Sequence, residues 1–169
     1  MTDRSTTAAS TDASAPDLPK MPPRWFVRGA WLAHRAIHRF TDGRRGLAQP
    51  RPDGHFGYLR LKTVGRRSGQ ERAAILGYIQ DGDHLVTLAM NGWGQGEPAW
   101  WLNLQARPDA AIELKGGARR PVRARAAVGS ERERLWALVK GHSGWGSDIN
   151  AFARLRSRET AVVVLERAA

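Results

Sequence analysis

The sequence predicts a mainly β protein with helices (α+β), built as a six-stranded antiparallel barrel. Two observations carry that prediction. Short stretches rich in alternating apolar residues recur from Tyr58 onward, most of them separated by Gly or Asp-Gly turns. The helical stretches between them are short, and no parallel strand-helix-strand unit surrounds the one Gly-x-Gly-x-Gly loop, which argues against a doubly wound sheet.

The elements follow in order. Residues 1–22 are rich in Ser, Thr, Ala, Asp and Pro and read as a disordered leader, neither a signal peptide nor a membrane span. Residues 23–41 read as an amphipathic helix, with Trp25, Phe26, Leu32, Ile37 and Phe40 on one side and Arg24, Arg28, Arg35 and Arg39 on the other. Such a helix packs on its own domain or lies on an anionic membrane surface. Residues 42–169 form the barrel domain, opening with a connector up to residue 54.

Within that domain Tyr58 to Val64 alternates as a strand, a basic turn follows, and Glu71 to Gln80 returns. Asp81-Gly82 makes a hairpin into a strand from His84 to Met90. A glycine-rich loop, Asn91 to Glu97, leads to Pro98 as the first position of a short helix through Trp100, Trp101, Leu102 and Leu104. The strand Ala110 to Leu114 turns at Gly116-Gly117 into Arg119 to Val128. Ser130 with Glu133 reads as a capping box for a helix through Leu135, Trp136, Leu138 and Val139. Ser147 or Asp148 caps another through Ile149, Phe152 and Leu155, and Thr160 to Leu165 is the last strand.

Composition limits the chemistry. The chain has 169 residues, is 41% apolar and carries a net charge of +11, mostly from arginine. Charge of that size points to anionic partners: nucleic acid, a lipid surface or a phosphorylated small molecule. The basicity is patchy, since residues 24–51 hold seven arginines against one acid while 73–115 hold two basic residues against five acids. There is no cysteine, which excludes disulfides, thiolate metal sites and a cysteine nucleophile and fits a reducing cytoplasm. The histidines (34, 38, 55, 84 and 142) show no metal-ligand spacing, and Ser68 has no nucleophile-elbow context. A reaction run without an evident acid, base or nucleophile relies on a cofactor.

The turn after the first strand is the strongest functional signal. Gly65-Arg66-Arg67-Ser68-Gly69-Gln70-Glu71-Arg72 sets three guanidinium groups and a hydroxyl around a tight bend. Arginine forks match phosphate and carboxylate oxygens, and glycine lets the backbone approach a ligand. A merely basic, solvated hairpin tip is the plain alternative.

Leu61-x-Thr63-x-Gly65-Arg66-Arg67-Ser68-Gly69-x-x-Arg72, then Asp81-Gly82, Asn91-Gly92, Pro98-Ala99-Trp100-Trp101-Leu102-Asn103-Leu104, Pro108 and the terminal Val162-Val163-Val164-Leu165-Glu166 follow in order. This succession resembles the deazaflavin (coenzyme F420)-dependent nitroreductase family over residues 56–168. The resemblance implies a split β-barrel that binds the 8-hydroxy-5-deazaflavin coenzyme, whose phosphodiester and oligoglutamate tail are anionic. It implies that Arg66, Arg67, Ser68, Gly69, Gln70 and Arg72 hold that tail, with backbone N–H groups at Gly69 and Gln70 on the phosphate, and that Lys62 is a further cofactor-binding residue. Ile75, Leu76, Ala89, Met90, Asn91, Gly92 and Trp100 would line the ring. Trp31, Trp145, Ile149 and Phe152 are the acceptor-pocket candidates. The activity implied is hydride transfer from the reduced coenzyme to a planar acceptor: a quinone such as menaquinone, a nitro-aromatic or an enone. The chain departs from the family pattern at Ile75 (usually proline), at Met90 (usually a small hydroxyl residue) and in the tyrosine-free stretch His142 to Phe152, which puts nitroimidazole activity in doubt. The expected location is the cytoplasm, peripheral at the inner face of the membrane. FMN in the same groove is one alternative. A nucleic-acid-binding barrel is another, resting on net charge and on Arg119, Arg120, Arg123 and Arg125 along one strand.

Overall fold

Alternation between two buried faces shapes this molecule. The structure, a computed structural model, describes residues 46–117, 119–146 and 148–168. The leader and the amphipathic helix expected over 23–41 lie outside the described residues. Six strands, β1 (Gly57–Val64), β2 (Glu71–Asp81), β3 (His84–Leu88), β4 (Asp109–Glu113), β5 (Arg119–Ala126) and β6 (Val162–Arg167), close into an antiparallel barrel in the order β1-β2-β3-β6-β5-β4. Among the described residues three helices accompany them, α1 (Ala99–Ala106), α2 (Gly129–Lys140) and α3 (Ile149–Arg154), with a single 3-10 turn at Asn91–Trp93. The predicted fold class is the one observed.

The barrel interior holds Leu59, Leu61, Leu76, Tyr78, Ile112, Val122, Val163 and Leu165, joined by Trp101 and Leu104 of α1. A second apolar layer lies on the outside. There Ile79, Val86, Leu88, Val162 and Val164 pack under Leu135 and Val139 of α2, Ile149 of α3, and Phe56, Trp93 and Trp145. β6 therefore sends Val163 and Leu165 inward and Val162 and Val164 outward, all buried, which is why it reads as an unbroken apolar run.

Closure is uneven. β1 and β2 pair over eight residues, whereas β1 meets β4 only at Arg60–Glu113, Leu61–Ile112 and Lys62–Ala111. Past Lys62 the two strands part, and Thr63, Val64, Asp109 and Ala110 line a groove of about 500 Å3. The barrel is split beside the basic turn.

Local signals were overruled in three places. The capping box at Ser130 and Glu133 does not form: α2 starts at Gly129 behind Val128, with no side-chain cap bond. The first turn is instead gripped from the barrel, where Arg125 takes Glu131 through two bonds (2.6 and 2.8 Å) and Glu166 through a third (2.6 Å). Pro98 is the cap rather than the first residue of α1, its carbonyl accepting from the Trp101 and Leu102 amides. β3 stops at Leu88, short of Met90, because the backbone bends into the 3-10 turn. Asp148 does cap α3, its Oδ1 accepting from the Asn150 and Ala151 amides at 2.9 and 3.0 Å.

Asp81 closes the β2–β3 hairpin and also holds α2, receiving Arg134 through two bonds of 2.9 and 2.8 Å. Hydrogen bonding from that guanidinium keeps the Asp81 carboxyl below its ordinary 3.8. A depressed folded-state value contributes stability that is complete above the unfolded value and fades as pH falls through the folded one. Urea unfolding should therefore show wild type more stable than Asp81→Asn at neutral pH, with the gap closing on acidification below 3.8. A gap that persists unchanged into strong acid would rule this pair out as its source.

Candidate functional site

The β1–β2 turn is a defined structure. The Gly65 amide donates to the Gln70 carbonyl and the Gly69 amide to the Gly65 carbonyl, both at 2.8 Å. Gly69 sits at φ +67, a left-handed conformation costly to residues with a Cβ, and a Cβ at Gly65 would stand 2.8 Å from Ser68 Oγ. Asn103 of α1 fixes the bend from below. Its Oδ1 accepts from the Arg66 amide at 3.1 Å, and its Nδ2 donates to Thr63 Oγ1 at 3.1 Å. Thr63 and Asn103 are 3% and 5% exposed, so this bridge is sheltered from competing water.

Above that anchor the turn faces solvent. Arg66, Arg67, Ser68, Gly69, Gln70 and Arg72 are all exposed. Arg72 Nη2 leans on Ser68 Oγ (3.4 Å) and Gln70 Oε1 (3.3 Å), and among the described residues no carboxylate forms an ion pair with Arg66, Arg67 or Arg72. The nearest acid in sequence, Glu71, is taken by Lys62 (3.5 Å) and Arg119 (3.4 Å). Lys62 also binds Glu113 at 2.8 Å, a bond that holds the Glu113 carboxyl below its ordinary value, and Arg60 reaches the same group at 3.3 Å. Lys62, expected among the cofactor-binding residues, is thus committed to two acids on the barrel wall.

The amide donors need correcting. Gly69 N–H is spent on Gly65, and Gln70 N–H points at Ser68 Oγ (3.4 Å). Among the described residues it is the Arg67 and Ser68 amides that have no acceptor. Three guanidinium groups, a hydroxyl and free N–H groups around one bend make a cradle for phosphate or carboxylate oxygens.

The remaining expected residues divide. Ile75 lies across from Arg60 on β2 and is half-buried, while its neighbour Leu76 points into the barrel core. Ala89 is fully buried, its amide donating to Ala161 and its carbonyl accepting from Arg156. Met90 is half-buried against the outer layer, whereas Asn91 and Gly92 are exposed at φ 47 and 60. Trp100 is half-buried against the barrel core, with an edge contact to Trp101.

Trp145 and Ile149 do not line an open pocket. They are 3% and 4% exposed in the outer layer, Trp145 against Phe56 with ring centres 4.6 Å apart. Half-buried Phe152 stacks on Trp93 at 5.8 Å. Helix patterning alone does not separate a wall residue from a packing residue, and here the demand for a second apolar layer won. Trp31 lies outside the described residues. Sequence reading missed the anchoring role of Asn103, although it stood in the Pro-Ala-Trp-x-x-Asn-Leu stretch, and gave no signal for Arg156. No group of His, Asp and Glu among the described residues is placed to hold a metal ion, and no described helix is long and apolar enough to cross a membrane.

A family model described as F420H(2)-dependent quinone reductase matches residues 33–167. An F420H(2)-dependent quinone reductase of Mycobacterium tuberculosis is 34% identical over 150 residues, covering 85% of this chain and 97% of that one. A solved structure described as an F420-H2 dependent reductase, FDR-A, superposes with a TM-score of 0.57 at 23% identity, covering 71% of this chain and 96% of that one. A further chain, described as a domain-swapped dimer, gives 0.59 at 22% identity, covering 82% and 99%. The likeness to these two structures shows the shared fold.

Replacing Asn103 by alanine removes both halves of the anchor and leaves the buried Thr63 hydroxyl unpaired. The variant should lose about 1–3 kcal/mol in denaturant unfolding. Hydrogen exchange at the Arg66 amide should accelerate beyond what the global loss explains. Exchange at Arg66 that follows global stability alone would show that Asn103 does not hold the turn.

Proposed function

The chain belongs to the F420H(2)-dependent quinone reductase family, and on that premise we propose that it reduces a planar, hydrophobic acceptor at the expense of reduced coenzyme F420. The acceptor favoured is a quinone such as menaquinone, with nitro-aromatics and activated enones as further substrates. The observation that carries the site assignment is the turn's set of exposed guanidinium groups, paired with no carboxylate among the described residues and anchored to a buried asparagine.

These residues fit the coenzyme. Its phosphodiester and carboxylate tail are the ligands that an uncompensated arginine turn selects. When bound, the deazaflavin supplies the hydride from its ring carbon five. The chain's share is binding and orientation: Arg66, Arg67 and Arg72 hold the tail, Ser68 Oγ and the Arg67 and Ser68 amides offer further donors, and Asn103 keeps the bend from drifting. Asn91 and Gly92, exposed on a bent loop, would meet the ring edge. Fixing donor and acceptor at attack distance supplies much of the rate in a transfer of this kind.

FMN is the second reading, since its terminal phosphate suits the same cradle. Nucleic acid has less support, because Arg119, Arg123 and Arg125 of β5 are each ion-paired. The proposal has the enzyme working in the cytoplasm at the inner face of the membrane. It draws on the basic amphipathic sequence over 23–41 and on the lipophilic character of the acceptor.

Fluorescence titration with oxidised F420, FMN and NADP in parallel tests the assignment, followed by a quinone assay with the reduced form of whichever binds. F420 should bind tightest. Arg66→Ala combined with Arg67→Ala should raise its Kd about tenfold or more, since hydrogen bonds to charged groups contribute about 1.5–3 kcal/mol each, while the thermal midpoint barely moves. Unchanged affinity in that double variant would overturn the assignment of the turn.

A further inference from the structure

Arg156 is the one described arginine that is buried, at 6% exposure, and among the described residues it forms no ion pair. Its bonds go to neutral oxygens on three segments. Nε donates to the Gly94 carbonyl (2.9 Å), Nη1 to the Ala89 carbonyl (3.0 Å) and Thr160 Oγ1 (2.7 Å), and Nη2 to the Gly96 carbonyl (3.3 Å). Burial works against the charge, and the nearby Glu97 offsets part of that through space. Burying a guanidinium is expensive unless nearly every N–H finds an acceptor, so the arrangement is built around this residue.

Those acceptors flank the segment expected to meet the ring. Asn91, Gly92 and Trp93 stand in succession at φ 47, 60 and 63, a left-handed run that two non-glycine residues adopt only when their surroundings impose it. The imposing contacts are visible. Arg156 holds the Ala89 carbonyl before the run and the Gly94 and Gly96 carbonyls after it. The same Gly96 carbonyl accepts Asn91 Nδ2 at 3.1 Å. A second latch ties the loop to the same stretch of chain: Gln95 Nε2 donates to the Leu155 carbonyl at 2.6 Å, and Gln95 Oε1 accepts from the Ser157 amide at 2.8 Å.

We propose that Arg156 is a positioning residue for the coenzyme ring, acting through the shared Gly96 carbonyl on Asn91 and through Ala89 and Gly94 on the backbone of the left-handed run. The inference rests on the reading above that Asn91 and Gly92 meet the ring. Lysine cannot take its place, because one ammonium does not span acceptors that a planar fork reaches at three nitrogens.

A double-mutant cycle tests it. Kd for oxidised F420 is measured in wild type, Arg156→Lys, Asn91→Ala and the double variant, each with a thermal melt, and Arg66→Ala with Arg67→Ala as the control for tail binding. Arg156→Lys should weaken binding about tenfold, and the double variant should bind no worse than the weaker single variant, because both changes release one contact chain. A loss of packing alone lowers the melt without coupling to Asn91. Should Arg156→Lys fail to fold, Thr160→Val replaces it in the cycle, because it removes the 2.7 Å partner of Arg156 Nη1 and loosens the same guanidinium, with the same non-additivity expected. Affinity unchanged in the substituted variant, or effects that simply add, overturns the proposal. Wild type that fails to bind F420 overturns instead the reading on which it rests, and a control that loses binding while the cycle shows none leaves that reading standing without Arg156.

Discussion

Carboxylates are the scarce partner in this protein: 27 lysines and arginines share 16 acids. On the barrel wall the acids are committed to particular cations, Glu113 to Arg60 and Lys62, Glu71 to Lys62 and Arg119, Asp109 to Arg123 and Glu166 to Arg125, which also takes Glu131 of α2. What remains at the β1–β2 turn is charge without a counter-charge inside the described chain. In water such crowding costs little, since unit charges 4 Å apart interact by about 1 kcal/mol at the dielectric of bulk solvent. Arrival of a phosphate or carboxylate relieves that repulsion and adds directed hydrogen bonds. The excess positive charge at the turn therefore depends as much on where the acids are spent as on the arginines themselves.

Charge alone would make a loose electrostatic patch. The barrel immobilises the base of that patch. β1 is held on both flanks, by β2 along its whole length and by β4 across Arg60 to Lys62, and Asn103 then ties its end to α1. α1 is itself pinned, with Trp101 and Leu104 in the interior core. Displacing the turn means disturbing that core or breaking a buried amide bridge. The short β1–β4 pairing leaves a groove beside the same turn, so rigidity and access are delivered by one feature of the topology.

Most of the fold was legible because strands here advertise themselves through local alternation and Gly-bearing turns. Every expected strand formed, with ends shifted by a few residues. The misses share a cause, which is that the deciding partner is set by the folded geometry rather than by the local sequence pattern. The capping box lost to a grip from Arg125, and the Gly69 and Gln70 amides were consumed within the turn by partners that only its folded geometry defines. Trp145 and Ile149 carry the aromatic and aliphatic character of an acceptor pocket, but the outward faces of β3 and β6 required them as cover. Arg156 sits in Arg154-Leu155-Arg156-Ser157-Arg158, where nothing distinguishes it from its exposed neighbours.

That last case shows how one residue type serves two opposite purposes. At the turn, arginine is exposed and, among the described residues, pairs with no carboxylate. At position 156 it is buried, forms no ion pair among the described residues, and is satisfied by backbone carbonyls and a threonine hydroxyl. A carboxylate there would have neutralised the charge but bound the fork at one edge, leaving the loop carbonyls free to rotate. Distributing the N–H groups over Ala89, Gly94 and Gly96 instead fixes three points of a strained segment at once. The strain of non-glycine residues at positive φ, of order 1–3 kcal/mol each, is then carried by contacts that have no other evident duty. Loop shape at this position follows from a buried charge whose solvation the loop itself supplies.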